Sequence, residues 1–174
     1  MKITAVTGDL TQTDTDAVVN AANSSLMGGG GVDGALHAAA GNELLGACTE
    51  VRRTQYPDGL PVGEAVSTPG FDLPAQWVIH TVGPNKHRGE TDPELLAACV
   101  HSSMQVARAL RISSIAFPAI SGGAYGWEMD EVAEVLVSAA KKEAENPDNN
   151  GIEEIRFVLF SPEMTEAFTA ALEK

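Results

Sequence analysis

Residues 20–41 hold the densest group of chemistry-bearing side chains in the sequence. Asn20-Ala-Ala-Asn23 closes an apolar run (Ala17, Val18, Val19), and Gly28-Gly-Gly-Gly31-Val-Asp33-Gly34 follows shortly after. Four consecutive glycines are unfavourable to order, each by roughly 0.4–1 kcal/mol relative to alanine. A chain carries that penalty where its backbone must turn tightly or lie against a ligand. Here the run stands just before a helix-forming segment, Val32–Ala40. Backbone N–H groups and the positive end of the helix dipole converge there, which makes an anion site. The Asn23 amide and the Asp33 carboxylate flank that cradle. A carboxylate beside a bound group can orient or deprotonate water. A flexible surface loop is the competing reading, but such linkers mix Gly with Ser and are not set between an apolar strand and an Ala-rich helix.

A second Gly-rich loop, Ser121-Gly122-Gly123-Ala124-Tyr125-Gly126, follows the short strand pattern Ser114–Phe117 and Pro118. Ser121 lies outside any Gly-x-Ser-x-Gly elbow, so an N–H or hydroxyl contact to phosphate fits it better than nucleophilic catalysis. Asp9 follows a strand and Gly8, where it is either a turn carboxylate or an acceptor for an exocyclic amine. Phe160 closes the last strand pattern, as a core aromatic or as a stacking face for a base. Gly29-x-Gly31-x-x-Gly34 matches the dinucleotide fingerprint only formally. The acid expected about 20 residues later falls inside a helical pattern, at Glu50-Val-Arg-Arg. No Gly-x4-Gly-Lys-[Ser/Thr] run occurs. The four histidines, 37, 80, 87 and 101, are scattered without zinc-site spacing and read as structural or solvated.

The elements that position these groups alternate. Strands are expected at 2–7, 16–20, 63–68, 77–82, 114–117 and 155–160. Helices are expected at 32–40, 43–53 with Asn42 as N-cap, 93–110 and 129–142, with a C-terminal helix opened by Ser161-Pro162. Residues 11–16 read as polar turn material. Interleaving of this kind predicts an α/β fold, a mainly parallel central sheet between helical layers. Ligands collect at the carboxyl ends of strands in such sheets. Both Gly-rich loops therefore belong on one edge, on two sides of one cleft.

The 174 residues suit a single domain spanning 1–174, without internal repeats. No stretch approaches the roughly 20 apolar residues of a membrane span, and the early Asp9 argues against a signal peptide. Cys48 and Cys99 read as reduced core residues of a cytoplasmic protein. The 11 basic against 24 acidic residues give a net charge of −13. Duplex nucleic acid is a poor partner for such a chain, because its affinity rests on cationic contacts. A phosphorylated ligand must be held mainly by backbone N–H groups, which suits a small, isolated molecule.

Together these pieces resemble the macrodomain family, most closely its MacroD-type branch of ADP-ribose hydrolases. The matching segments are Thr7-Gly-Asp9-Leu10, Val19-Asn-Ala-Ala-Asn23, Gly28 through Gly41, Leu73-Pro74, Val78-Ile-His-Thr-Val-Gly-Pro84, and Ile115 through Ser121 with Tyr125-Gly126. They run in family order over nearly the whole chain. The resemblance implies a three-layer α/β/α fold with a mainly parallel, mixed sheet that binds ADP-ribose as a monomer, with no cofactor or metal. It implies that Asp9 holds the adenine amine, the Leu10 N–H a ring nitrogen, and Phe160 the adenine face. The N–H groups of Gly30, Gly31, Val32 and the loop Ser121, Gly122, Gly123, Ala124, Tyr125 would hold the diphosphate. Asn23 and Asp33 would flank the distal ribose as the catalytic pair, with Tyr125 against it. The implied activity is hydrolysis of acyl esters of ADP-ribose, on O-acetyl-ADP-ribose or on mono-ADP-ribosylated Asp or Glu of proteins. A non-catalytic ADP-ribose reader is the alternative. Three departures stand out: Gly122 where the family usually has Thr, Trp127-Glu128 after Tyr125-Gly126, with a carboxylate near an anion site, and Asn85-Lys-His-Arg-Gly-Glu90 after Gly83-Pro84.

Overall fold

The computed structural model describes all 174 residues. Six strands form one sheet: β1 (Lys2–Thr7), β2 (Ala17–Ala22), β3 (Ala65–Pro69), β4 (Trp77–Val82), β5 (Ser114–Phe117) and β6 (Glu154–Leu159). Their order is β1-β6-β5-β2-β4-β3, parallel throughout except for the antiparallel edge strand β3. Five helices complete the fold: α1 (Gly31–Ala40), α2 (Asn42–Thr54), α3 (Pro93–Leu110), α4 (Met129–Ala144) and α5 (Pro162–Leu172).

Alternation along the strands assigns the layers, because successive side chains point to opposite faces. Val18, Val78, Ala116 and Val158 pack with Leu36 of α1 and Leu44 and Cys48 of α2. Val19, Ile79, Ile115 and Phe157 pack with Leu96 of α3, Val132 of α4 and Phe168 of α5. The central strands are thus apolar on both faces, as a doubly covered parallel sheet requires. Phe117, Phe157 and Phe168 pack in sequence as tilted pairs, with centroids 5.8 and 5.1 Å apart. Cys48 and Cys99 are buried free thiols on opposite sides of the sheet.

Several expected boundaries move. Asn42 is the first residue of α2, not its cap; Gly41 caps it at φ 89°, a left-handed conformation that favours glycine. The strand expected from residue 63 begins at Ala65, because Gly63 turns at φ 85°. Leu10–Gln12, overlapping the start of the polar 11–16 stretch, forms a single 3₁₀ turn. β6 ends at Leu159, so Phe160 stands just past the strand, 77% exposed, and is not a core residue. Ser161 caps α5 as expected, accepting from the Met164 N–H.

Candidate active site

The five parallel strands end on one edge, and the segments after β1, β2, β5 and β6 enclose a cleft of about 790 Å³ there. All thirteen residues singled out from the sequence line it. At one end stand Asp9, Leu10 and Phe160; along the walls run Gly30, Gly31 and Val32 opposite Ser121, Gly122, Gly123 and Ala124; Asn23, Asp33 and Tyr125 complete it. No lysine, arginine or histidine lines the cleft.

The first wall is the N-terminus of α1. Its cap, Gly30, has no side chain to occupy the first-turn amides, which the helix itself leaves unpaired. The glycine run also folds back on the helix. A Cβ on Gly34 would lie 2.4 Å from the Gly29 carbonyl oxygen, so only glycine lets the two segments meet. Asn23 shapes the approach to this wall: its Oδ1 accepts from the Leu26 N–H and the Ser25 hydroxyl, and its Nδ2 donates to the Gly28 carbonyl at 3.0 Å.

The second wall is braced from the segment that follows β4. Ser121 sits at φ 64°, a strained value for a residue with a side chain. Its hydroxyl donates to the Pro84 carbonyl at 2.9 Å, and the buried Trp127 indole N–H donates to the same oxygen at 3.0 Å. The Ser121 hydroxyl proton is thus committed to the protein. So is the Gly122 N–H, expected to face phosphate, which donates to the Ala119 carbonyl at 3.0 Å and closes the turn. The amides of Ser121, Gly123, Ala124 and Tyr125 carry no backbone acceptor. Lys86 adds a backbone N–H to the Tyr125 carbonyl, while its ammonium lies 4.3 Å over the Trp127 ring and pairs with Glu131. Glu128, expected near the anion site, is exposed at the N-cap of α4 and does not line the cleft.

Asp9 caps the 3₁₀ turn, its Oδ1 accepting from the Thr11 N–H and hydroxyl. The turn-carboxylate reading therefore holds for one oxygen; Oδ2 takes no protein donor. Asp33 is similar but buried, with 4% of its surface exposed. Its Oδ1 accepts from Asn20 Nδ2 at 2.8 Å, and His37 Nε2 lies 3.5 Å away. Asp33 Oδ2 has no protein donor, so its lone pairs remain for whatever enters the cleft.

Four side chains gather around Asp33 that the sequence did not place there: Asn20, Thr68, His37 and His80. The two histidines were read as structural or solvated, a reading that the full burial of His80 bears out. His37 was detectable, since it follows Asp33 by one helical turn. The others meet through the pairing of β2 with β4 and of β4 with β3, where Asn20 lies opposite His80.

Fold and cleft define a three-layer α/β/α protein with a ligand site of backbone amides and buried carboxylate at the carboxyl edge of its sheet. The macro domain family model matches residues 19–136, and the chain belongs to that family. It is 48% identical over 170 residues to a macro domain-containing protein of Streptomyces coelicolor, covering 98% of each chain. A macro domain-containing protein of Listeria monocytogenes is 47% identical over 164 residues, covering 94% of this chain and 92% of its own. The solved Oceanobacillus iheyensis macrodomain with ADP superposes with a TM-score of 0.90 at 41% identity, over 97% of this chain and 88% of that one. The Trypanosoma brucei macrodomain in complex with ADP-ribose superposes at 0.87 and 32% identity, over 98% and 68%.

Proposed function

We propose that this protein binds ADP-ribose and hydrolyses its acyl esters, on O-acetyl-ADP-ribose, on mono-ADP-ribosylated Asp or Glu side chains, or on both. The adenine occupies the end formed by Asp9, Leu10 and Phe160. The diphosphate lies between the amides of Gly30, Gly31 and Val32 and those of Ser121, Gly123, Ala124 and Tyr125, the Gly122 amide being taken by the Ala119 carbonyl. The distal ribose then falls between Asn23, Asp33 and Tyr125. The one observation that carries the hydrolytic part is the carboxylate of Asp33: Oδ1 fixed by Asn20, Oδ2 without a protein donor, at the wall of the cleft.

In this reading Asp33 Oδ2 accepts a proton from water as the water oxygen attacks the acyl carbon. The bond from that carbon to the ribose oxygen breaks, the ribose oxygen takes the proton that Asp33 accepted, and free carboxylic acid and ADP-ribose result with Asp33 again a carboxylate. Asn23 keeps one amide N–H beyond its bond to Gly28, enough to hold a ribose hydroxyl. Binding of the remote adenine and diphosphate fixes the reacting end. The ligands of the O. iheyensis and T. brucei macrodomains support the nucleotide part.

The test is release of acetate from O-acetyl-ADP-ribose and of ADP-ribose from a glutamate-linked modified protein, alongside calorimetric titration with ADP-ribose. Turnover of either ester is the expected result and identifies the preferred one. Tight binding with no turnover on both would make the protein a reader.

A further inference from the structure

Behind Asp33 runs a row of buried polar side chains that ester hydrolysis as described does not use. Asn20 and His80 are fully buried and Thr68 is 3% exposed. Asn20 Nδ2 lies 2.8 Å from Asp33 Oδ1 and 3.1 Å from His80 Nδ1, and His80 Nε2 lies 2.9 Å from the Thr68 hydroxyl. We propose that His80, backed by Thr68, is a positioning residue: it fixes which way the Asn20 amide faces, and that amide holds Asp33 with Oδ2 presented to the cleft.

Hydrogen-bond polarity leaves one consistent arrangement. Asp33 as a carboxylate only accepts, so Asn20 must present its NH₂. The second hydrogen of that NH₂ points at His80 Nδ1, which must therefore be the bare nitrogen. The ring proton then sits on Nε2 and donates to the Thr68 hydroxyl. Turning the Asn20 amide over would set its carbonyl oxygen against the carboxylate, two acceptors with no proton between them.

The other groups around the ring agree. Burial, reinforced by the nearby charge of His37, pushes His80 down to about 3, so the ring is neutral at pH 7 and one of its two nitrogens is bare. Cys48 Sγ lies 3.7 Å from Nε2; burial first and the Asp33 charge second push its thiol up to about 12, so it adds no charge. The arrangement also strands a polar atom. Asn20 Oδ1 is buried without a partner, an outcome that apolar side chains at these positions would avoid. Buried polarity with an unpaired acceptor is what results when the two amide hydrogens are what the site needs.

The inference deepens the hydrolase reading and rests on it for its kinetic arm. Thr68→Val keeps the shape and removes the hydroxyl; Thr68→Ser keeps the hydroxyl and removes a methyl group. Thr68→Val is expected to lower kcat on the preferred ester about 10-fold, the scale of a small misplacement of a reacting group. Its ADP-ribose Kd should stay within about two-fold of wild type, since the change acts on the reacting step rather than on binding. Thr68→Ser should turn over like wild type. A role in packing alone predicts the reverse order, with Ser the more damaging. The second readout does not depend on turnover: ¹⁵N histidine NMR should show His80 as a single neutral tautomer with the proton on Nε2 in wild type and Thr68→Ser, mixed in Thr68→Val. Wild-type turnover in Thr68→Val, or a His80 proton on Nδ1, would overturn the proposal. If wild type cleaves neither ester, the hydrolase reading falls, and the tautomer alone decides whether the row is locked as described.

Discussion

At Asp33 one carboxylate oxygen takes the Asn20 amide while the other meets no protein donor, and that asymmetry separates a carboxylate available to a ligand from one spent on the fold. Phe160 shows the same separation for an aromatic ring, since 77% exposure is far more than a core ring would keep. Phe160→Ala should leave the thermal midpoint within about 2 °C of wild type, because little area is uncovered. It should weaken ADP-ribose by about 1–3 kcal/mol, the usual range for a base stacked on an aromatic face. Titration calorimetry and a melting curve check both halves; unchanged affinity would remove Phe160 from the adenine site. Asn23 and Asp33 were visible in the sequence because they bracket an expensive glycine run. Asn20, His80 and Thr68 were not, because their contacts depend on strand order. Nothing local in Val78-Ile-His80-Thr-Val82 says that β2 lies on one side of it and β3 on the other.

Two loops of unlike construction form the walls. The first belongs to α1, whose glycine cap leaves the amides bare. The second is braced from outside, through the Pro84 carbonyl that accepts from both Ser121 and Trp127. The brace offsets the freedom of the two adjacent glycines at 122 and 123, and it gives the departures at Trp127 and Lys86 a physical role. Trp127→Phe removes one donor while keeping an aromatic ring. A lost hydrogen bond of about 1 kcal/mol should appear as ADP-ribose affinity roughly five-fold weaker, again by calorimetry; no change would mean that the Ser121 bond alone holds the loop. Most elements were legible from period and punctuation, including the Ser161-Pro162 helix start. Two of the misses fell where glycine took a left-handed conformation: Gly41 rather than Asn42 caps α2, and Gly63 delays β3. A sequence names the glycine but not the sign of its φ.

Taken whole, the molecule carries a net charge of −13 and lines its cleft with no basic side chain, yet offers two sets of backbone amides at one sheet edge. Fixed dipoles act at short range, whereas the net charge acts over the Debye length, about 8–10 Å at moderate salt. Raising sodium chloride from about 50 to about 300 mM should therefore leave ADP-ribose affinity unchanged or tighten it slightly, as the repulsive field is screened. A steep loss with salt would point to cationic side chains in the bound state. The α/β layering and the shared loop edge followed from the alternation of strands and helices. The row behind Asp33 emerged only once β2, β4 and β3 were seen side by side. The hydrolytic reading is tested most directly by Asp33→Asn, which preserves shape but can neither carry the charge nor take the proton. Measured together, kcat on the preferred ester should fall by about 100-fold or more, with ADP-ribose Kd within about three-fold of wild type. Wild-type turnover in that variant would contradict the assignment of Asp33 as the base.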